Sequence, residues 1–375
     1  MAGSQSGWTG RLIVLIALAA AWADRATAAD PHPQSVPAAP YQTAGDDRGY
    51  WVVSTRDCGG NLDQGQRDRY QVFACDHQGR RTVSSLEGLI QSLSPGVPVC
   101  FVMHGSFVDW PTVWSDARQT NAWLRRPYPD RPLHVVFLTW PSDDTPMLLF
   151  PVDVAILGRR ASRYSFYLAE LVSLVPDDHP ICLIGHSHGA RMVVSTLHIL
   201  GGGQVEDIAF GGGPFHHHRI RAVLAAGAFD HHWLNPGQRY EQAIERPELI
   251  LNLQNRRDIA LGFYPLHRPL TAPAAGRIGF GDADRRLIGP AAQKLIDVDI
   301  TRFVRRGHIW PNYYTEPQLA QAIAPHVFFV DDVPPPASLA RTASPAGRPQ
   351  TSAATPARWQ ESQTDVKWSD LRVAR

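Results

Sequence analysis

The feature that most restricts how this chain can fold is an apolar run, Ile181–Ile184, that ends directly in Gly185-His186-Ser187-His188-Gly189. The next eleven residues, Ala190–Leu200, carry a helical pattern and stop at Gly201-Gly202-Gly203, a helix C-terminus signal. A strand that becomes a helix within five residues calls for a tight turn with Ser187 at its apex. Glycine is expected two residues to either side, because a side chain there would meet the neighbouring turn. A short, continuously apolar strand of this kind is buried on both faces, as in a parallel sheet covered by helices.

Other strand-like runs extend the pattern. They are Tyr50–Thr55, Tyr70–Cys75, Pro98–Met103, Leu133–Thr139, Pro180–Gly185, Ile220–Gly227, Glu248–Gln254 and Ile296–Phe303. Helical segments are predicted over Ser84–Leu93, Thr112–Arg125, Asp153–Val175 and His188–Leu200. On the third of these, Leu157, Tyr164, Tyr167, Leu168 and Leu171 share one face. The expectation is one α/β domain with an eight-stranded, mostly parallel sheet, whose first two strands form an antiparallel edge.

In open sheets of this class ligands sit beyond the carboxyl ends of the strands, so the residues that follow each strand carry the chemistry. The third strand runs into His104-Gly105-Ser106-Phe107, the fourth into Trp140-Pro141-Ser142, the seventh into Arg257-Asp258 and the eighth into Gly307-His308. A serine at a strand-to-helix elbow, with an acid and then a histidine at later strand ends, is the chain order of a nucleophile, an orienting carboxylate and a general base. Ser187, Asp258 and His308 fill those places, with Asp230 after the sixth strand as a rival acid. The N–H groups of His188 and Ser106 would hold an oxyanion. His104, Gly105, Phe107 and Trp140 are expected at the substrate, Trp140 equally as a core aromatic. Twenty residues between the sixth and seventh strands leave no room for a large cap, and the excursion 259–294, with Phe263, Tyr264 and Phe280, is expected to roof part of the site.

Other chemistries fit less well. The 36 Lys+Arg against 35 Asp+Glu give a net charge of +1, too balanced for neutralising phosphates, so nucleic acid is not an expected partner. His216-His217-His218 and His231-His232 lie before and after one strand, at opposite edges of a sheet that rises ~3.3 Å per residue, so one metal cannot bridge them. Neither a metal nor a cofactor is expected. Cys58 and Cys75 flank a loop that a disulfide could close, while Cys100 and Cys182 sit inside apolar runs.

The ends read differently from the middle. Leu12–Ala23 is an apolar run of twelve, short for a membrane span of ~20 residues but suited to a secretory signal. Small-x-small sites follow at Ala21-Trp22-Ala23 and Ala26-Thr27-Ala28. Residues 1–29 are therefore expected to be a signal, with an uncleaved anchor as the alternative. Residues 30–49 would be a linker, 50–331 the domain, and 332–375 a Pro/Ala/Ser-rich disordered tail. A secreted or periplasmic location follows, with no stable membrane span after cleavage.

Taken in order, His104-Gly105, Trp140-Pro141-Ser142, the Gly-His-Ser-His-Gly elbow, Arg257-Asp258 and Gly307-His308 resemble the α/β-hydrolase superfamily. Together with Ser54-Thr55-Arg56 they look like an exported bacterial serine-hydrolase branch of it, over roughly residues 50–320. The resemblance implies a triad of Ser187, Asp258 and His308 acting on a small-molecule acyl ester, or on an amide or thioester. It leaves open an acyltransferase with the same triad and a non-catalytic binding module of the cell envelope.

Overall fold

The structure, a computed structural model, describes residues 48–59, 69–143, 150–206, 208–210, 218–267 and 270–331. The expected signal, nearly all of the linker, the tail, and His216 and His217 lie outside the described residues. Nine strands form one sheet: β1 (Tyr50–Ser54), β2 (Gln71–Cys75), β3 (Arg81–Ser84), β4 (Val99–Met103), β5 (His134–Thr139), β6 (Ile181–His186), β7 (Ile220–Ala225), β8 (Leu249–Gln254) and β9 (Leu295–Asp299). Their spatial order is β3-β2-β1-β5-β4-β6-β7-β8-β9. β1 and β4 to β9 run parallel, and β2 is antiparallel to both of its neighbours.

The expected eight strands become nine because of β3. Its sequence Arg81-Thr82-Val83-Ser84 is exposed at the sheet edge and has no apolar period, so only backbone pairing with β2 makes it a strand. The predicted helix from Ser84 therefore starts late, as α1 (Leu86–Gln91) capped by Ser85. The last strand also stops earlier than its apolar run. Asp299 ends it, and Thr301–Val304 turns into a short helix.

The remaining helices are α2 (Trp110–Arg125), α3 (Phe150–Leu174), α4 (His188–Leu200), α5 (Ile259–Phe263), α6 (Ala275–Ile278), α7 (Asp282–Ile288), α8 (Thr301–Val304), α9 (Pro311–Tyr314) and α10 (Pro317–Val327). α2 starts where Asp109 accepts the Thr112 N–H at 3.0 Å, with Pro111 in its first turn.

The sheet is buried on both sides. Trp51, Val53, Phe101, Met103, Ile181 and Leu183 join a core with Leu157, Tyr164, Tyr167, Leu168 and Leu171 of α3 and the apolar residues of α4. The alternate positions Tyr50, Val52, Cys100, Val102, Cys182 and Ile184 join a second core with α2 and α10. Every residue of α4 is buried, so the elbow is held from both sides of the helix that leaves it.

Cys58 belongs to the first core and Cys75 to the second, and both are free thiols. The expected disulfide is absent, since the two thiols lie in different cores. Burial pushes each thiol up to about 12. Between β7 and β8 the chain makes only short 3-10 turns at His231–Leu234 and Glu241–Ile244, with no inserted cap.

Candidate active site

β6 delivers His186 to the sheet edge, and Ser187 follows at φ 55° and ψ −120°, a strained conformation for a residue with a side chain. Steric contact explains the glycines. A Cβ on Gly185 would stand 2.4 Å from the Gly189 carbonyl oxygen, and one on Gly189 would stand 2.3 Å from that of Met103. The turn therefore closes on itself and onto the end of β4. A Cβ on Gly105 would lie 2.9 Å from Cβ of Ser187, so the 104–107 loop is pressed directly against the serine.

Ser187 Oγ lies 3.0 Å from Nε2 of His308, and Nδ1 of His308 lies 2.8 Å from Oδ2 of Asp258. Asp258 is 0% exposed. Its Oδ1 accepts the Leu261 N–H at 2.9 Å, so the same carboxylate caps α5 and orients the imidazole. The rival, Asp230, accepts the Tyr264 hydroxyl at 2.8 Å and the Ala272 N–H at 3.3 Å. Two carboxylates thus stand at neighbouring strand ends, and it is Asp258 that hydrogen-bonds His308.

The loop that carries His308 is tied at several points that the sequence did not advertise. His186 Nε2–H donates to the His308 carbonyl at 2.5 Å, and Asn255 donates to the Gly307 carbonyl at 3.1 Å. Trp310 donates to Thr120 of α2 at 2.8 Å. Asn255 sits three residues before Asp258, and only its place at a strand end could have drawn attention to it.

On the opposite side of the serine, His188 is the first residue of α4, where an N–H has no partner within the helix. The Phe107 N–H donates to the Ser142 carbonyl at 2.8 Å, with Phe107 at φ 60°. That bond commits the Phe107 N–H. The Ser142 hydroxyl bridges the N–H and carbonyl of Val108 at 3.2 Å each. The Trp-Pro-Ser segment therefore anchors the His-Gly loop.

His104 and Trp140, expected at the substrate, are 1% and 0% exposed. Their rings stack with centroids 5.9 Å apart, and the Trp140 indole N–H donates to the His104 carbonyl at 3.0 Å. They brace the loop from behind instead of lining a cleft. Burial, then the nearby Arg56 cation, lowers the His104 pKa to about 3. Arg56 itself bonds Thr139 at 2.9 Å and the Val108 carbonyl at 2.5 Å, which gives the Ser54-Thr55-Arg56 segment a structural task. The expected roof also needs correction. Tyr264 and Phe280 are buried, the first on Asp230 and the second on Phe229, while Phe263 is half-buried. Among the described residues no three His, Cys, Asp or Glu side chains group so as to hold a metal ion.

No family model matches the sequence, and no curated protein matches it. Solved structures similar to the chain include a novel cutinase-like protein from Cryptococcus sp., at 14% identity and a TM-score of 0.29. The match covers 62% of this chain and 93% of that one.

Proposed function

We propose that the chain is a serine hydrolase of the α/β-hydrolase type, cleaving a small-molecule carboxylic ester through an acyl-enzyme on Ser187. The observation that carries this reading is the continuous hydrogen-bonded line from Asp258 to His308 to Ser187, ending on a serine held at positive φ.

In the first half-reaction Ser187 Oγ attacks the acyl carbon while His308 Nε2 takes its proton. Asp258 holds the imidazole with its proton on Nδ1 and stabilises the cation that forms. The N–H groups of His188 and Ser106 receive the negative charge on the carbonyl oxygen. Collapse of the tetrahedral intermediate breaks the ester C–O bond, and His308 returns its proton to the departing alcohol. Water then gives a proton to His308 and attacks the acyl carbon; collapse breaks the bond between Ser187 Oγ and the acyl carbon, His308 returns the proton to Oγ, and the acid is freed. None of these steps calls for a cofactor.

The apolar run Leu12–Ala23 leads us to place the activity in the periplasm or outside the cell. No helix among the described residues is long and apolar enough to cross a membrane.

The test is labelling of the purified protein by a fluorophosphonate, which reacts with activated serines. Labelling of the wild type that is lost in both Ser187→Ala and His308→Ala is the expected result. A folded wild type that does not label, or labelling that survives Ser187→Ala, would refute the assignment.

A further inference from the structure

Two histidines flank Ser187, and the steps above use neither side chain. Both are buried, and they point in different directions. The His186 ring lies among His308, Trp310 and Tyr313, with centroids 5.3, 5.5 and 5.6 Å away, and its Nε2 meets the His308 carbonyl. The His188 ring turns the other way and places Nδ1 2.6 Å from Ser106 Oγ. Its far edge faces α3, where a Cβ on Gly158 would lie 3.1 Å from Nε2.

A carbonyl oxygen can only accept, so His186 carries its hydrogen on Nε2. Burial keeps both rings neutral. The His186 pKa falls to about 3, with His308 as the next cause, and that of His188 falls well below the ordinary value, with Arg191 as the next cause. Neither is a proton carrier at neutral pH. Each instead presents one fixed nitrogen to one loop.

We propose that His186 and His188 are positioning residues with separate tasks, each joining the nucleophile's turn to one of the two loops it works with. His186 fixes the loop that carries the base, through Nε2–H on the His308 carbonyl. His188 fixes the loop that carries the second oxyanion donor, through Nδ1 on the Ser106 hydroxyl. The inference rests on the serine-hydrolase reading and adds to it the reason for imidazoles on both sides of the serine. A ring of the same shape would fill either space. Only a polar atom at the correct ring position can tie each loop, and a misplacement of about 1 Å at a reacting group costs on the order of 10²-fold in rate.

That distinction supplies the experiment, a reciprocal amide swap. A glutamine side chain can place an N–H where Nε2 of histidine lies, whereas asparagine reaches only the Nδ1 position. His186→Gln, His186→Asn, His188→Asn, His188→Gln and Ser106→Ala are made in the full chain. Fluorophosphonate labelling is measured as a maximal rate and a half-saturating concentration, beside melting temperatures.

The expected result is that His186→Gln and His188→Asn stay within about tenfold of wild type, while His186→Asn and His188→Gln lose about 10²-fold in maximal rate. Half-saturation should change little. Ser106→Ala should match His188→Gln, and combining the two should lose no more than either alone. If both histidines serve only to fill space, the amides at each position will label alike, in the order of their melting temperatures, and Ser106→Ala will label as wild type. That outcome overturns the proposal and leaves the hydrolase reading standing. A wild type that never labels fells the hydrolase reading first and the proposal with it.

Discussion

In the loops that leave β4, β6 and β7 the backbone carries Phe107, Ser187 and Ala226 at positive φ, and Arg305 at the end of α8 does the same, four of the seven such non-glycine residues among those described. At the other end of the sheet, beside the amino ends of β7 and β8, the polar groups form a set of ion pairs. Arg221 bonds Glu248 at 3.0 Å and also reaches Asp331, and Arg219 bonds the same two carboxylates at 2.6 and 3.1 Å. The end that carries Ser187 holds most of the strained backbone, and the other holds full charges that cancel in pairs. Strained residues persist where surrounding structure over-determines them, and here the surroundings are close backbone contacts and fixed hydrogen bonds. Paired charges answer to solvent and salt. The two ends should therefore fail under different treatments.

The largest effect tests the strained end. Asp258→Asn keeps the shape of the carboxylate but favours the wrong tautomer of His308, and turnover should fall about 10⁴-fold with little change in melting temperature. Asp230→Asn, which alters a carboxylate held by Tyr264 and Ala272, should leave turnover near wild type. Steady-state kinetics on an activated ester would check both. The reverse ranking would move the acid to the end of β7.

Acid should reveal what the two ends share. Burial, the leading cause in each case, lowers His104 and His186 to about 3 at one end of the sheet, and His134 and His326 to about 4 at the other. Each ring is neutral when folded and gains a proton on unfolding once the pH drops below an unfolded value of about 6.5. The unfolded state then binds more protons, so stability is complete above that pH and declines as the pH falls toward 4. Each histidine contributes a slope of about 1.4 kcal/mol per pH unit. Urea unfolding between pH 7 and 5 should show the decline at low and high salt alike, because buried groups are screened little. A flat profile would mean that water reaches these rings.

How much of this was legible in the residues follows the same division. The elbow was readable because apolar run, glycine spacing and helix lie within twenty consecutive residues, and local sterics need nothing from elsewhere. Ser187 and Asp258 were expected at strand ends and do follow β6 and β8, whereas His308 lies beyond α8, a helix that its apolar run Ile296–Phe303 concealed. β3 was not, since Arg81–Ser84 becomes a strand only through pairing with β2. His104 was expected at the substrate, and Trp140 either there or in the core, because a polar or aromatic residue at a strand end looks the same whether it faces a cleft or stacks behind the loop. The tasks of Asn255 and His186 were invisible for a related reason: their partners are backbone carbonyls of residues 52 and 122 positions away.

The smallest effects separate the two arginines of the ion-paired end. Arg221 is buried, donates to the Pro325 carbonyl at 2.9 Å as well as to Glu248, and lies 4.8 Å from the centre of the Phe329 ring. Its hydrogen bonds to charged partners and its packing go together, so Arg221→Ala should destabilise by about 2 kcal/mol. Arg219 shares the same carboxylates, but its side chain is 46% exposed. Exposed pairs contribute little and are screened, so Arg219→Ala should cost under about 1 kcal/mol, and less still in 1 M salt. Neither change should alter fluorophosphonate labelling, because both sites lie at the edge of the sheet opposite Ser187. A labelling defect in Arg221→Ala without loss of stability would show that the two ends are coupled through β7, the strand that carries Arg221 at one end and, through the Ala225 carbonyl, accepts the Ser187 N–H at 2.9 Å at the other.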